Sequence, residues 1–192
     1  METLKVLVDL LAGLKYNELQ LYFEGMCFVY SQFPQYTADF SCLTSADMEE
    51  LDQYCSERFI ALVPNQNSLG HMTSWLEQEE FRHLGLGDGG EVPNTLNPLL
   101  EESFQFVDQL YQSVLPHFRS EYVHVGMDEA YGLGRYQTEA YCREYGKSAL
   151  FMQWLNRISD LAGEKYGKKI QFWADMICDC PELYQQIPKD AV

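Results

Sequence analysis

Basic residues are scarce in this sequence of 192 residues. It contains 13 Lys and Arg against 29 Asp and Glu, which gives a formal net charge of −16 at pH 7. A surface with this excess of negative charge repels phosphate groups, so we expect neither a nucleic acid nor an anionic membrane as a partner. The sequence also lacks an apolar run of about 18 residues and a basic segment leading into an apolar stretch. We therefore expect neither a transmembrane helix nor a secretion signal.

Paired cysteines at metal-binding or redox spacing are also absent. The six cysteines contain no CxxC pair, and Cys178 and Cys180 lie too close in sequence for half of an ordinary structural zinc site. The chain has no Asn-x-Ser/Thr glycosylation acceptor either. We therefore expect free thiols in a reducing compartment and a cytoplasmic location.

The hydrophobic periodicity predicts alternating helices and strands. Residues 18–23 alternate with period two, and residues 59–63, 122–125 and 170–174 are short apolar runs typical of buried parallel strands. Helices are predicted before each strand. This order predicts a single α/β domain, residues 1–192, built on a parallel sheet. Four strands are compatible with an open sheet or with about half of a (β/α)8 barrel, and composition does not decide between them.

The predicted connections are unequal in length. Joins from helix to strand take only a few residues, whereas the joins from strand to helix at residues 25–43, 64–75 and 128–136 are long. Long loops at the carboxyl ends of parallel strands are where α/β folds place their active sites. We therefore expect a functional site at that end of the sheet.

Polar and acidic residues follow all four predicted strands. Each alone has an ordinary explanation, such as a helix cap or a hydrogen-bonded structural histidine. Their coincidence at one edge of the sheet favours a site. The candidates are Glu24, Asn65, His71, Asp128, Glu129 and Asp175.

The segment His124-Val125-Gly126-Met127-Asp128-Glu129 is the most informative. Neighbouring side chains on a strand point to opposite faces, so Asp128 and Glu129 share one pocket only if the strand ends and the chain turns there. Gly126 supplies the backbone freedom for that turn. Repulsion between adjacent carboxylates favours keeping a proton on one of them, as a general acid requires. The alternative is a solvated acidic pair at the start of a helix. Trp173 and Trp75 are candidate platforms for sugar rings, or core residues.

This segment resembles the His/Asn-x-Gly-x-Asp-Glu signature of glycoside hydrolase family 20, the β-N-acetylhexosaminidases. Other segments are similar in order and spacing, especially to the hexosaminidase-D-like branch. They are Leu19-Gln20-Leu21-Tyr22-Phe23-Glu24, Val63-Pro64-Asn65-Gln66, Gly70-His71-Met72, Thr95-Leu96-Asn97-Pro98 and Phe172-Trp173-Ala174-Asp175. The resemblance implies the second to fifth strands of a (β/α)8 barrel, with the first strand before Met1 and the last three after Val192.

The resemblance also implies a chemistry. In this family the 2-acetamido oxygen of the sugar attacks its own anomeric carbon, unlike the usual two-carboxylate scheme. Glu129 would be the general acid and base, and Asp128 would orient the acetamido group. His71, Trp173, Asp175, Glu24 and Asn65 would bind the sugar. The substrate would be a glycan or glycoconjugate ending in β-linked N-acetylglucosamine or N-acetylgalactosamine, with no metal and no organic cofactor.

Two other functions remain open from the sequence. In a conventional retaining glycosidase, Glu24 or Asp175 would be the nucleophile and Glu129 the acid. In a truncated barrel the domain would be inactive or would bind sugar without turnover. Half of a barrel would also expose sheet edges, through which we expect homo-oligomers to form.

Overall fold

The computed structural model describes residues 1–37 and 42–192. The strands are β1 Glu18–Phe23, β2 Ala61–Gln66, β3 Tyr122–His124 and β4 Lys169–Gln171. The helices are α1 Glu2–Gly13, α2 Ser45–Ser56, α3 Thr73–Leu76, α4 Glu101–Val114, α5 Glu139–Tyr145 and α6 Lys147–Tyr166. The predicted alternation of helices and strands is confirmed. Residues 38–41, within the long loop after β1, lie outside the described residues.

The strands form one parallel sheet in the order β1-β2-β3-β4. Gln20 on β1 donates a hydrogen bond of 2.8 Å to the side-chain oxygen of Gln171 at the end of β4. Neighbouring strands lie about 4.8 Å apart, so these two strands would be about 14 Å apart in a flat sheet. Their side chains meet because the sheet curls around that face. This curvature is that of a barrel wall, and the fold is a partial (β/α) barrel of four strands.

The strand boundaries differ from the predicted ones. Strand β2 begins at Ala61 and continues through Pro64 to Gln66. Proline is tolerated here because its fixed φ angle is compatible with an extended chain and because its missing N–H costs the sheet only one hydrogen-bond donor. Phe59 lies outside the strand, with a φ of 60° and 90% exposure. Strand β3 ends one residue early, and β4 ends at Gln171, before Trp173.

The helix ends follow local chemistry. A capping box precedes α2: the Asp47 amide donates to the Thr44 hydroxyl, and the Asp47 carboxylate accepts from the Thr44 amide. Helix α4 ends before Pro116, and α6 ends on the left-handed Gly167. A 3-10 helix, Pro181–Gln186, follows β4.

The core contains a dense aromatic cluster beneath the loops that follow the strands. The Trp75 ring is 1% exposed and packs edge-on against Tyr30, Phe33 and Phe106. It is therefore a core residue and not a sugar platform. Trp154 on α6 donates from Nε1 to the buried carbonyl of Ser68, 3.0 Å away, which ties that helix to the loop after β2. In the part of the chain described, no helix is long and apolar enough to cross a membrane.

The substitution Trp154→Phe tests the hydrogen bond from Trp154 to the Ser68 carbonyl. It leaves the buried Ser68 carbonyl without its donor, which costs about 1–3 kcal/mol. We expect the free energy of unfolding to fall by about that amount in urea denaturation. Tyr16→Phe, at a residue that is 57% exposed, is the control and should change it by less than about 0.5 kcal/mol. Equal stability of the two variants would contradict the assigned role.

The two edges of the sheet are not equivalent. Among the described residues, β1 has a strand partner only on the β2 side. The outer side of β4 is partly paired with the end of the chain, since Phe172 donates to the Val192 carbonyl and Val192 donates to the Ile170 carbonyl, both at 3.1 Å. The open edge is therefore mainly that of β1.

An exposed strand edge favours association with another chain. We expect the 192-residue chain to associate in a concentration-dependent way, visible in sedimentation velocity. Replacing Glu18, the first residue of β1, by proline removes a backbone donor on the open side of the strand, because the Asn17 carbonyl before it already faces β2, and this should weaken the association. A species that stays monomeric across the accessible concentration range would count against this prediction.

Candidate active site

The loops that follow β2 and β3 approach each other unusually closely. A Cβ atom built on Gly70 would lie 2.1 Å from the carbonyl oxygen of Asp128, so only glycine fits there. The next residue, His71, has a φ of 55°. A left-handed conformation is uncommon for histidine and is typical of functional sites whose surroundings hold it in place. This contact puts His71 beside the acidic pair.

The chain turns sharply after β3, as the sequence predicted. Gly126, Met127 and Glu129 all have positive φ angles, of 70°, 83° and 48°. A Cβ atom on Gly126 would lie 2.0 Å from Oδ1 of Asn67, so this turn also needs glycine. The turn breaks the alternation of the strand and brings Asp128 and Glu129 to the same side.

His71 lies among three carboxylates. Its Nε2 atom is 3.2 Å from Oδ2 of Asp128 and 3.4 Å from Oε2 of Glu129, and its Nδ1 atom is 3.4 Å from Oε1 of Glu24. Among the described residues, Nε2 has no partner with hydrogen-bond geometry despite these short distances. The imidazole is therefore close enough to orient these carboxylates, and its buried Nε2 atom faces them.

Glu129 is held through its backbone. Its amide donates to Oδ2 of Asp175 at 3.1 Å, and its carbonyl accepts from Nδ2 of Asn94 at 3.3 Å. The hydrogen bond to the Glu129 carboxylate raises the pKa of the Tyr131 phenol, which therefore stays protonated. With its backbone fixed from both sides, the half-exposed carboxylate points into the open space beside His71.

Trp173 lies at the mouth of the site. Its amide donates to the Gly126 carbonyl at 2.9 Å, and its ring is 48% exposed. One ring face packs against His124, with centroids 4.7 Å apart. Burial lowers the pKa of His124 to about 4, so its ring is neutral, and Nδ1 accepts from the Gly126 amide at 3.1 Å. His124 thus supports both the turn and the tryptophan platform.

Asn65 is the candidate that the structure does not bring to the carboxylate cluster. It is 3% exposed and donates to Oε1 of Gln20 at 3.5 Å, within a polar layer inside the curled sheet. Its position on β2, one residue before the strand ends, places it below the loops. The other six candidates, Glu24, His71, Asp128, Glu129, Trp173 and Asp175, lie at one end of the sheet.

Three residues of the site were missed in the sequence: Tyr22, Asn94 and Tyr131. The Tyr22 hydroxyl accepts from Nδ2 of Asn67 at 2.9 Å. Burial raises the pKa of the Tyr22 phenol, and the charges of Glu24 and Asp128 raise it further, against the effect of that hydrogen bond. Tyr22 and Tyr131 each stand two residues from a predicted acidic residue, which is the only local signal for them.

The arrangement concentrates negative charge around one small opening. Four carboxylates and one imidazole surround it, which favours a ligand that develops positive charge during reaction. Within residues 1–37 and 42–192, no group of three or more His, Cys, Asp or Glu side chains has a geometry suited to a metal ion.

A separate hollow of about 580 Å³ lies at the opposite end of the strands, among Phe59, Arg119 and Tyr122. In α/β folds this amino-terminal end serves stability, whereas chemistry occurs at the carboxyl ends. We therefore do not assign a function to that hollow.

Solved structures resemble this fold over almost the whole chain. A chitobiase from Flavobacterium johnsoniae has a TM-score of 0.82 and 20% identity, covering 99% of this chain and 30% of its own. A β-N-acetylhexosaminidase from Bacteroides fragilis has a TM-score of 0.79 and 21% identity, covering 100% of this chain and 42% of its own. At this identity the similarity establishes the fold, the partial barrel inferred from the curled sheet.

Sequence comparisons define the family. Hexosaminidase D from Bos taurus is 28% identical over 142 residues, which is 71% of this chain and 40% of that protein. The chain thus spans about two fifths of this relative's length. The family model described as "Glycosyl hydrolase family 20, catalytic domain" matches residues 1–191. The carboxylate pair after β3, the curled parallel sheet and this match agree, and the chain belongs to glycosyl hydrolase family 20.

Proposed function

We propose that this chain carries the catalytic residues of a β-N-acetylhexosaminidase, which removes terminal β-linked N-acetylglucosamine or N-acetylgalactosamine from a glycan or glycoconjugate. The observation that carries the proposal is the convergence of Asp128 and Glu129 on Nε2 of His71. Two consecutive carboxylates at one opening provide one group for the internal nucleophile and one for the leaving group.

Glu129 is the general acid and base of the proposed reaction. It donates a proton to the glycosidic oxygen as the bond to the anomeric carbon breaks, and it later takes a proton from the attacking water. Its fixed backbone defines where the carboxylate lies. A fixed acid contributes more than a mobile one, because its orientation is set before the reaction begins.

Asp128 orients the acetamido group. Its carboxylate accepts a hydrogen bond from the acetamido N–H, which turns the acetamido oxygen toward the anomeric carbon. The oxygen then attacks and displaces the leaving group, and the resulting ring carries positive charge next to Asp128. With 26% of its side chain exposed, this carboxylate is shielded more than Glu129, and shielding strengthens its interaction with that charge.

The other residues form the walls of the sugar site. The exposed face of Trp173 suits the apolar C–H face of a pyranose ring. Glu24, His71 and Asp175 present polar atoms around the same opening and are assigned to sugar hydroxyls. Asn65 is kept as a supporting residue of the polar layer below the site, because it is buried away from the carboxylates.

A conventional two-carboxylate mechanism fits the geometry less well. Glu24 lies against Nδ1 of His71, whereas Glu129 lies against Nε2, so the imidazole ring separates the two carboxylates. The Asp175 carboxylate accepts from the Glu129 amide and is thereby occupied in holding the turn. A sugar-binding domain without catalysis would not require the paired carboxylates.

Glu129→Gln tests the acid assignment. Glutamine keeps the shape but has no proton to donate, so we expect kcat for a nitrophenyl β-N-acetylglucosaminide to fall by about 10²–10⁴-fold in the full-length protein. Glu139→Gln, at an exposed residue on α5, is the matched control and should keep normal turnover. Unchanged turnover in Glu129→Gln would disprove the assignment.

A thiazoline that mimics the cyclised acetamido group distinguishes the two mechanisms. We expect it to inhibit the full-length protein competitively, and we expect Asp128→Asn to weaken its binding at least tenfold, because the ring nitrogen loses a charged partner. Isolation of a covalent glycosyl-enzyme by mass spectrometry, without thiazoline inhibition, would support the two-carboxylate alternative instead.

A further inference from the structure

A second hollow adjoins the catalytic carboxylate. It has a volume of about 470 Å³, within the usual range for small-ligand sites, and lies between residues 86–94 and residues 131–136. We call it the tyrosine groove, after Tyr131 and Tyr136, whose rings are 58% and 46% exposed. Two exposed aromatic rings in one hollow are favourable surfaces for the C–H face of a sugar.

The tyrosine groove is joined to Glu129 by two of its own residues. Asn94 lines it and donates to the Glu129 carbonyl at 3.3 Å, and Tyr131 lines it close enough to Glu129 for the interaction with that carboxylate to raise the pKa of the phenol. Glu129 also contacts the proposed hexosamine site: its amide donates to Asp175, and its carboxylate is 3.4 Å from Nε2 of His71. Glu129 therefore touches residues of the groove and residues of the hexosamine site, which is where an acid must lie to protonate the bond between two sugars.

The groove is rigid before any ligand binds. The side-chain amide of Gln137 donates to the Gly87 carbonyl at 2.9 Å and accepts from the Gly87 amide at 3.2 Å, which ties the two loops together. The Gly132 amide donates to the Thr95 hydroxyl at 3.2 Å, and Tyr136 is held at a φ of 49°. A preformed site binds with a smaller loss of conformational freedom than a flexible one.

The charges of the groove select its ligand. Asp88, Glu91 and Arg135 line it, so the lining carries a net negative charge on a protein that is itself strongly acidic. This disfavours sialylated, sulfated or phosphorylated sugars. The carboxylates, together with Asn94, instead suit the hydroxyl groups of a neutral sugar.

We propose that the tyrosine groove binds a neutral sugar residue to which the terminal N-acetylhexosamine is linked, and that Tyr131 and Tyr136 set the preference for a sugar leaving group. The inference rests on the proposed hydrolase function, and it assigns a binding site to the leaving group of that reaction. The bond between the two sugars then lies at Glu129.

Tyr136→Ala tests the groove in the full-length protein, because Tyr136 touches the groove but not Glu129. With a disaccharide of N-acetylglucosamine β-linked to a neutral hexose, we expect kcat/KM to fall about tenfold. The inhibition constant of free N-acetylglucosamine, which reports the hexosamine site alone, should not change. Tyr16→Ala, at an exposed tyrosine at the opposite end of the sheet, should alter neither value. An unchanged kcat/KM, or a parallel change in both constants, would overturn the proposal.

Hydrogen exchange gives a readout that does not need turnover. At saturation, the disaccharide should slow amide exchange in residues 86–94 and 131–136, and free N-acetylglucosamine should not. Absence of this protection would overturn the groove assignment even in an active hydrolase. Protection by a disaccharide that the protein never hydrolyses would instead support the groove while disproving the proposed function.

Discussion

The contact between Gly70 and the Asp128 carbonyl is the constraint on which the site depends. Two loops from neighbouring strands approach so closely that a single methyl group would separate them. Because of this contact, His71 lies close to the carboxylates of Asp128 and Glu129, and the loop after β2 packs directly against the turn after β3. Gly126 makes a similar approach to Asn67. The geometry of the candidate site is therefore set by close packing of the backbone, which positions side chains more rigidly than exposed side-chain contacts do.

The strain of this packing is concentrated where the proposed chemistry occurs. His71, Met127 and Glu129 all adopt left-handed backbone conformations that side chains disfavour. Buried contacts beneath them hold these conformations, above all the hydrogen bond from Trp154 to Ser68 and the aromatic cluster around Trp75. A stable core thus maintains a turn that would not persist in an isolated peptide.

The candidate site combines acidic side chains with exposed aromatic rings. The same loops that carry the carboxylates carry the exposed tyrosines and Trp173, so each acidic group lies near an aromatic surface. Neutral sugars present hydroxyl groups to the former and C–H faces to the latter. A reaction that develops positive charge at the sugar is favoured in such surroundings, whereas anionic ligands are repelled.

The sequence by itself determined the alternation of helices and strands, the end of the sheet that carries the site, and the turn at Gly126, because these depend on local periodicity and on backbone freedom. It also selected the carboxylates, His71 and Trp173, which the structure places at one end of the sheet. It misjudged both ends of β2, predicted at residues 59–63, and the end of β4, predicted at residue 174, because pairing with a neighbouring strand and not composition defines where a strand stops. Only the tertiary structure decided that Trp75 is buried, that Asn65 lies below the site, and that Asn94 and Tyr131 adjoin Glu129. Those facts depend on contacts between loops far apart in the chain, and no local pattern records which loops the curled sheet brings together.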